Sequence, residues 1–395
     1  MSKRIIVVQQ FYYPDLSAVA QLLHDLLDVT ASHHGRRFTV LASSTVRVVE
    51  DSDDRPVSAE NETIRFPAPF GAKLGTVGRL ADSLVFHVCV FVYLLFVRRD
   101  SCVVSMTTPP LIGLTVALAS HFRPARFIHY IEDLFPEILL DTGIVRRPYI
   151  AKKLSLFNRI TLRAADGIVV VGEKMRRKLY LNYGVNPEVV DVVENWAAPI
   201  EHSEPDLSGP PVFMYSGNLG YAHGFRYLKQ FVDAFRGSRS GFVFVGAGRR
   251  YAAVKRELRS GEGVEVRFMP YVSRSEHSHV LATASFFLLA QSPRTVGDLL
   301  PSKYYSYLAA GRPIVYFGTR QSEIGQTIDT RNLGVIIETE DDLAASLSEV
   351  RGLIADSEKY KRVCERVRTV HREHGGVRVA AERFASVLSS AGCGD

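Results

Sequence analysis

The sequence predicts an α/β protein made of two doubly wound, Rossmann-like domains with parallel sheets. Three observations carry this reading. Short apolar runs alternate with helix-length segments along most of the 395 residues, which is the rhythm of a parallel sheet covered by helices. The runs are continuous in hydrophobicity rather than alternating, as strands buried on both faces are. The rhythm breaks once, at residues 199–211, a stretch rich in Pro, Ser and acids that continues neither a helix nor a central strand.

In the first half, strands are expected at 4–9, around Ile5-Ile6-Val7-Val8, and then at 38–42, 102–106, 126–131 and 167–171. A second series falls at 212–216, 242–245, 264–269, 285–289 and 314–317. Beyond about residue 340 the pattern is helical to the end. The expected domains are therefore 1–198, a linker at 199–211, and 212–375. A closing helix at 376–395 is free to pack back on the first domain.

At 46% hydrophobic and 23% charged, the chain is not a disordered, collagen-like or polytopic membrane protein. The formal charge of +6 is too small to argue for nucleic acid, but it suits an anionic membrane surface or a phosphorylated substrate. Cys89, Cys102, Cys364 and Cys393 form no C-x-x-C pair. That argues against a zinc ribbon or a disulfide scaffold and makes a reducing cytoplasm the simplest home. Met1-Ser2-Lys3-Arg4 leads into too few apolar residues for a signal sequence. Residues 84–97, followed by Arg98-Arg99, are apolar on every face but fall short of the ~20 residues that span a bilayer. Two readings fit: a buried core helix, or a helix entering an anionic membrane surface with Arg79, Arg98 and Arg99 near the headgroups.

Several motifs are absent or empty. No G-x-G-x-x-G follows the first strand, and no Gly-Lys pair marks a phosphate-binding loop of the Walker type. No G-x-S-x-G elbow occurs. Asp51-Ser52-Asp53 reads as a solvated loop, and His277-Ser278-His279 as helix surface.

Four constellations remain. Tyr215-Ser216-Gly217-Asn218-Leu219-Gly220 ends a strand in a glycine turn, with a helical pattern from Tyr221 and with His223 and Arg226 near its start. Glycines there allow close approach to a phosphate, or simply tight packing. Gly246-Ala247-Gly248-Arg249-Arg250 repeats the strand–glycine–helix pattern. In 297–315, Pro301 is placed to open a helix and Gly311 to cap it. Lys303 near its start would offer a cation to a diphosphate, and Ser306 a hydroxyl to a ribose, or the helix is simply a well-packed one. Finally, a buried strand ends in Glu132-Asp133, followed by Leu134-Phe135-Pro136-Glu137. Carboxylates at a strand's carboxyl end suit a ligand cleft, and Asp133 as a helix cap is the competing reading.

In order and spacing, these residues resemble glycosyltransferases of family 4, bacterial enzymes of the WbuB type in cell-surface polysaccharide assembly. The resemblance runs through Gln10-Phe11-Tyr12-Tyr13-Pro14-Asp15, Thr107-Thr108-Pro109-Pro110, Glu132 through Glu137, and 165–171. It continues in Glu194-Asn195-Trp196, 215–220 and 301–313. It implies a GT-B architecture, with two sheets facing a cleft. It also implies a retaining, metal-independent transferase of the hexosyl or N-acetylhexosaminyl type with no cofactor, the nucleotide sugar being a substrate. By resemblance, Asp133, Glu132 and Lys303 are the catalytic candidates. Gly217, Asn218, Gly220, His223, Arg226, Gly246, Gly248, Tyr271, Asp298, Ser302 and Ser306 would hold a donor, most simply a UDP-sugar. Tyr13, Ser17 and Glu137 would lie on the acceptor side, and Asn195-Trp196 at the crossing between domains. The implied acceptor is a lipid-linked saccharide, reached from the inner face of the cell membrane, with 84–99 in peripheral contact.

Two features depart from the family pattern. Its common E-x7-E pair is replaced by Asp298 and Ser306, and the glycines of its N-terminal loop by Leu16-Ser17-Ala18. An epimerase on the same fold and a catalytically silent nucleotide-sugar-binding subunit are the rival readings.

Overall fold

The computed structural model describes residues 4–15, 17–45, 61–197, 200, 207, 209–220, 222, 224–259 and 264–393. Leu16, Asp51-Ser52-Asp53, His223 and most of the expected 199–211 linker lie outside them. The chain divides into two compact units. The first is Met1–Asn195 with Gly297–Leu300 and Val377–Asp395, and the second is Trp196–Val296 with Pro301–Gly376.

The first unit opens with β1 (Ile5–Val8), α1 (Ala18–His34), β2 (Phe38–Ser43), β3 (Glu62–Phe66) and α2 (Gly71–Leu95). It goes on through β4 (Cys102–Ser105), α3 (Ile112–Phe122), β5 (Arg126–Ile131), α4 (Glu137–Asp141) and α5 (Pro148–Ala164). β6 (Gly167–Val170), α6 (Glu173–Tyr183) and β7 (Val190–Val192) complete its N-terminal part. The second unit holds β8 (Val212–Ser216), α7 (Leu228–Asp233), β9 (Gly241–Val245), α8 (Tyr251–Arg259) and β10 (Glu265–Met269). It continues with α9 (Arg274–Ala282), β11 (Phe286–Ala290), α10 (Lys303–Ala310), β12 (Ile314–Phe317), α11 (Glu323–Arg331) and β13 (Gly334–Ile337). After α12 (Glu340–Ala355) and α13 (Ser357–His374), α14 (Gly376–Ser390) returns the chain to the first unit.

Among the described residues, the first sheet has seven strands in the order β3-β2-β1-β4-β5-β6-β7, and the second has six in the order β10-β9-β8-β11-β12-β13. Every pairing is parallel. Both are doubly wound sheets whose order reverses beside the first strand, at β1/β4 and β8/β11, and ligands of such sheets bind outside the carboxyl ends at the reversal. The sequence misses β3, β7 and β13. All three are edge strands of their sheets, and β3 and β7 carry exposed positions.

In the first unit, Phe86, Val90 and Leu94 of α2 pack with Ile112 and Val116 of α3 onto Ile6, Val8 and Val103. α14 closes the other face. Phe384 lies 6.4 Å from the ring of Phe38 and 5.9 Å from that of Tyr130. One expectation is corrected here. Cys102 at the start of β4 and Cys393 beyond α14 form a disulfide across 291 positions, while Cys89 and Cys364 remain thiols. Spacing hid the pair because α14, not sequence proximity, brings the two sulfurs together, so the argument from unpaired cysteines to a reducing compartment lapses.

The second unit's core is aromatic. Phe213 on β8 is fully buried and stacks on Phe242 at 4.9 Å and on Phe286 at 5.0 Å. Three neighbouring strands thus share one layer of rings. Phe213→Ala would empty the middle of that layer at a cost of about 3–5 kcal/mol. The expected result is a lowered urea midpoint with near-native circular dichroism at zero denaturant. An unchanged midpoint would show that the layer is not the unit's main support.

Candidate functional site

The second unit's strongest feature lies at the carboxyl ends of β8 and β9. After Ser216 the chain turns through Gly217–Gly220, held by Gly217 N–H to Val245 O at 2.9 Å and Leu219 N–H to Ala247 O at 2.8 Å. The answering loop, Gly246–Gly248, is pinned by Gly246 N–H to Met269 O at 2.9 Å. The loops touch backbone to backbone. A Cβ on Gly246 would stand 2.3 Å from Gly217 O and 3.3 Å from the Tyr271 ring. On Gly248 it would stand 2.5 Å from both Asn218 Oδ1 and Leu219 O. Their φ values of +129° and +133° also disfavour any side chain. Gly217, Asn218, Gly246, Gly248 and Tyr271, proposed separately from the sequence, therefore form one surface.

α10 presents Lys303 to that surface. The Lys303 Cε lies 3.0 Å from where a Cβ of Gly217 would be, and Nζ sits 5.3 Å from the Tyr215 ring centroid. Burial lowers its pKa from 10.5 to about 7. α10 is fixed to the turn by Tyr307, whose hydroxyl accepts the Ser216 N–H at 2.9 Å and reaches Ser216 O at 3.3 Å. The Tyr307 ring stacks on Phe287 at 4.1 Å. Gly311 closes the helix in the left-handed conformation, as expected. Ser302 stands at the N-cap, where its side chain makes no capping bond, and half-buried Ser306 follows Lys303 by three positions on the helix. The amine of a half-buried lysine beside a floor of closely approached backbone is suited to an anion such as a diphosphate.

Parts of the reading are corrected. Tyr221 lies outside the described residues, and no helix runs through the described residues 224–227. α7 starts at Leu228, and the intervening chain is drawn to β11 by the Ser292 N–H to Ala222 O bond of 2.8 Å. Helix-dipole support for the glycine turn is therefore not available from α7. Arg226 is exposed, its guanidinium 5.3 Å from the Tyr227 ring centroid. His277, read as helix surface, is half-buried, and its Nε2 lies 2.9 Å from Ser216 Oγ. The dense run of polar residues in α9 masked it.

In the first unit, Glu132 and Asp133 follow β5. The Asp133 N–H donates a weak 3.4 Å bond to Thr107 Oγ1, and Asp133 pairs in an antiparallel bridge with Leu299. Burial raises Asp133 from 3.8 to about 6, and burial with the neighbouring Asp133 charge raises Glu132 further. Glu132 Oε2 is buried without a hydrogen-bond partner. No side chain caps α4, so the capping role considered for Asp133 is not realised. Glu137 is buried, and its Oε1 accepts Tyr183 Oη–H at 2.5 Å and Asn182 Nδ2–H at 3.2 Å. The Tyr13 ring stacks on His24 at 4.4 Å, and the Ser17 N–H donates to Asp15 Oδ1 at 2.8 Å.

Asp298, expected among the donor-binding residues of the second domain, belongs instead to the first unit. It is fully buried and ion-paired with Lys178 of α6, which also holds Asp141 at 2.8 Å. The Leu134 N–H donates to Asp298 O at 2.7 Å. The residues before α10 thus serve as a brace for the Asp133 segment. Burial pushes the Asp298 carboxyl above its usual range, against the pull of Lys178. Among the described residues, no group of three or more His, Cys, Asp or Glu side chains is placed to hold a metal ion.

Comparison with known proteins gives consistent results. Residues 210–356 match the family described as Glycosyl transferases group 1. The chain is 27% identical over 313 residues to the probable glycosyltransferase WbjE of Pseudomonas aeruginosa, covering 75% of each chain. In fold it is similar to Anabaena Alr3699/HepE, solved in complex with UDP, at 12% identity and a TM-score of 0.65, covering 98% of this chain and 100% of that one. It is also similar to WaaG, a glycosyltransferase involved in lipopolysaccharide biosynthesis, at 14% identity and a TM-score of 0.66, covering 96% and 98%. The two doubly wound domains are those of the GT-B fold.

The Lys178–Asp298 pair gives a test in the first unit. Lys178→Met strands a buried carboxylate and is expected to cost about 3–5 kcal/mol at neutral pH. A carboxyl whose folded pKa lies above its unfolded one contributes its stability fully below the unfolded value and loses it as pH rises through the folded value. The deficit against wild type should therefore shrink as urea titrations move from neutral to mildly acidic pH. A deficit independent of pH would remove Asp298 from the explanation.

Proposed function

With a glycosyl transferases group 1 domain over residues 210–356, we propose that the chain is a glycosyltransferase of cell-surface polysaccharide assembly. It takes a sugar from a nucleotide-sugar donor, most simply a UDP-sugar, and passes it with retention to a lipid-linked saccharide. The observation that carries this reading is the Lys303 amine set against the Gly217–Gly220 and Gly246–Gly248 loops. The UDP complex of Alr3699/HepE and the involvement of WaaG in lipopolysaccharide biosynthesis support it.

The chemistry follows from charge. As the bond between the anomeric carbon and the diphosphate breaks, negative charge grows on the departing phosphate oxygen and positive charge on the sugar ring. Preorganised donors stabilise the first. Protonated Lys303 supplies such a donor, and Tyr307 keeps its helix in place. Tyr271 is assigned to the base, and Ser306 to the ribose, where a single hydroxyl grips less than a carboxylate would. In the first unit, Asp133 is assigned to the acceptor hydroxyl and the charged ring, with Glu132, Tyr13, Ser17 and Glu137 around the acceptor.

The pKa values set the pH behaviour. Lys303 near 7 means that UDP must bring a proton with it above neutrality. Calorimetry at pH 8 in buffers of different ionisation enthalpy should register uptake of close to one proton per UDP, absent in Lys303→Met. With Asp133 near 6, kcat/KM should rise through about pH 6 and fall above about pH 7. Lys303→Ala and Asp133→Ala should each lower turnover by roughly 10²–10³ with the fold intact, the range seen when one oxyanion donor is lost. Only the former should weaken UDP binding. Wild-type transfer rates in both variants would show the assignment to be wrong.

A further inference from the structure

All three polar groups of Ser216, the buried last residue of β8, are engaged by two side chains. Its N–H donates to Tyr307 Oη at 2.9 Å, and its carbonyl oxygen lies 3.3 Å from the same hydroxyl. Its Oγ lies 2.9 Å from His277 Nε2, and a hydroxyl and an imidazole nitrogen at that distance form a hydrogen bond in either tautomer. Tyr307 comes from α10 and His277 from α9. Two helices therefore meet on the residue that precedes the Gly217–Gly220 turn.

That turn needs outside support. Gly217 has a φ of +126° and no side chain to restrict its backbone, so local sterics do not set the direction in which the chain leaves the strand. The direction fixes two contacts of the donor surface. Gly217 O stands 2.3 Å from where a Cβ of Gly246 would be, and Lys303 Cε stands 3.0 Å from where a Cβ of Gly217 would be. A binding surface works only if its groups are held within about 0.5 Å. The turn is held to β9 by the Gly217 N–H bond to Val245 O, to α10 by Tyr307, and to α9 by His277.

His277 is itself firmly placed. It follows a capping box at the start of α9, where Ser273 Oγ accepts the Glu276 N–H at 3.3 Å and Glu276 Oε2 accepts the Ser273 N–H at 3.2 Å. The His277 N–H donates to Ser273 O at 2.9 Å. Its ring thus projects from the first turn of a helix whose start is fixed. Two positions before the cap, Tyr271 stands against Gly246. The His277–Ser216 bond therefore joins the segment assigned to the base to the turn assigned to the diphosphate.

We propose that His277 is a positioning residue of the donor site, acting through Ser216 Oγ to hold the Gly217–Gly220 turn where a diphosphate binds. This rests on the nucleotide-sugar donor of the proposed function and adds to it a residue from outside the glycine loops and α10. The test is calorimetric titration of the full chain with UDP, with uridine titrated beside it by ligand-detected NMR. In His277→Leu the turn is in place only part of the time, and apparent affinity falls by that fraction. With one hydrogen bond lost, UDP should bind about five- to tenfold more weakly. Uridine, which lacks the phosphates, should bind as it does to wild type, whereas a general loosening of the unit would weaken both. Ser216→Ala should match His277→Leu, and the double variant should bind no more weakly than either, because both changes remove the same bond. His277→Gln, whose amide offers a donor and an acceptor, should recover most of the loss. Unchanged UDP binding in His277→Leu, additive losses in the double variant, no recovery in His277→Gln, or equal weakening of uridine and UDP would overturn the proposal and leave the donor reading standing. A wild type that binds no UDP would overturn the donor reading itself, and the proposal with it.

Discussion

The second unit is organised around a distance too short for a side chain. Where the loops after β8 and β9 cross, the space a Cβ would need at Gly246 or Gly248 is filled by the backbone of residues 217–219. That contact brings main-chain groups of two strands to one small surface and leaves no room for anything bulky between them and a ligand. Everything else in the unit keeps that surface steady. The Phe213 layer holds the strands in register, Tyr307 ties α10 to Ser216, and His277 braces Ser216 from α9. Burial makes a lysine ammonium there costly, which is why Lys303 holds its proton weakly.

The first unit solves a different problem, that of keeping two adjacent carboxylates half-buried. Glu132 and Asp133 end a buried strand, and their loop is stitched to residues 298–299 by backbone bonds on both sides. The stitch is anchored by the Lys178–Asp298–Asp141 cluster. A residue whose sequence neighbours belong to the second unit thus does its work in the first.

Much of this was legible in the sequence because it depends on local chemistry. Continuous Val, Ile and Phe runs marked the buried strands. Glycines after strands marked the close backbone approach, and Pro301 and Gly311 bracketed α10. The pieces that escaped depend on partners far away in the chain. Cys102 and Cys393 carry no sign of each other, Asp298 is committed to a lysine 120 positions earlier, and the surface-like polar run around His277 hides its bond to Ser216. The helical pattern after the glycine turn is not realised over the described residues 224–227 for a related reason, since a long-range bond from Ser292 claims the backbone of Ala222. Residues 84–97 were ambiguous because uniform hydrophobicity cannot tell which side of a helix meets the core. Only the packed neighbours of Phe86, Val90 and Leu94 separate one face from the other.

The return of α14 to the first unit has a consequence for biosynthesis. Domains generally fold as units in the order they leave the ribosome. Here the earlier sheet is finished by the last helix. Until Phe384 has emerged, Phe38 and Tyr130 lack the ring that covers them, while every strand of the later sheet is already available to fold. The unit begun first is therefore completed after the second, and a ribosome that stalls before α14 has emerged would release a well-formed second unit joined to an unfinished first one.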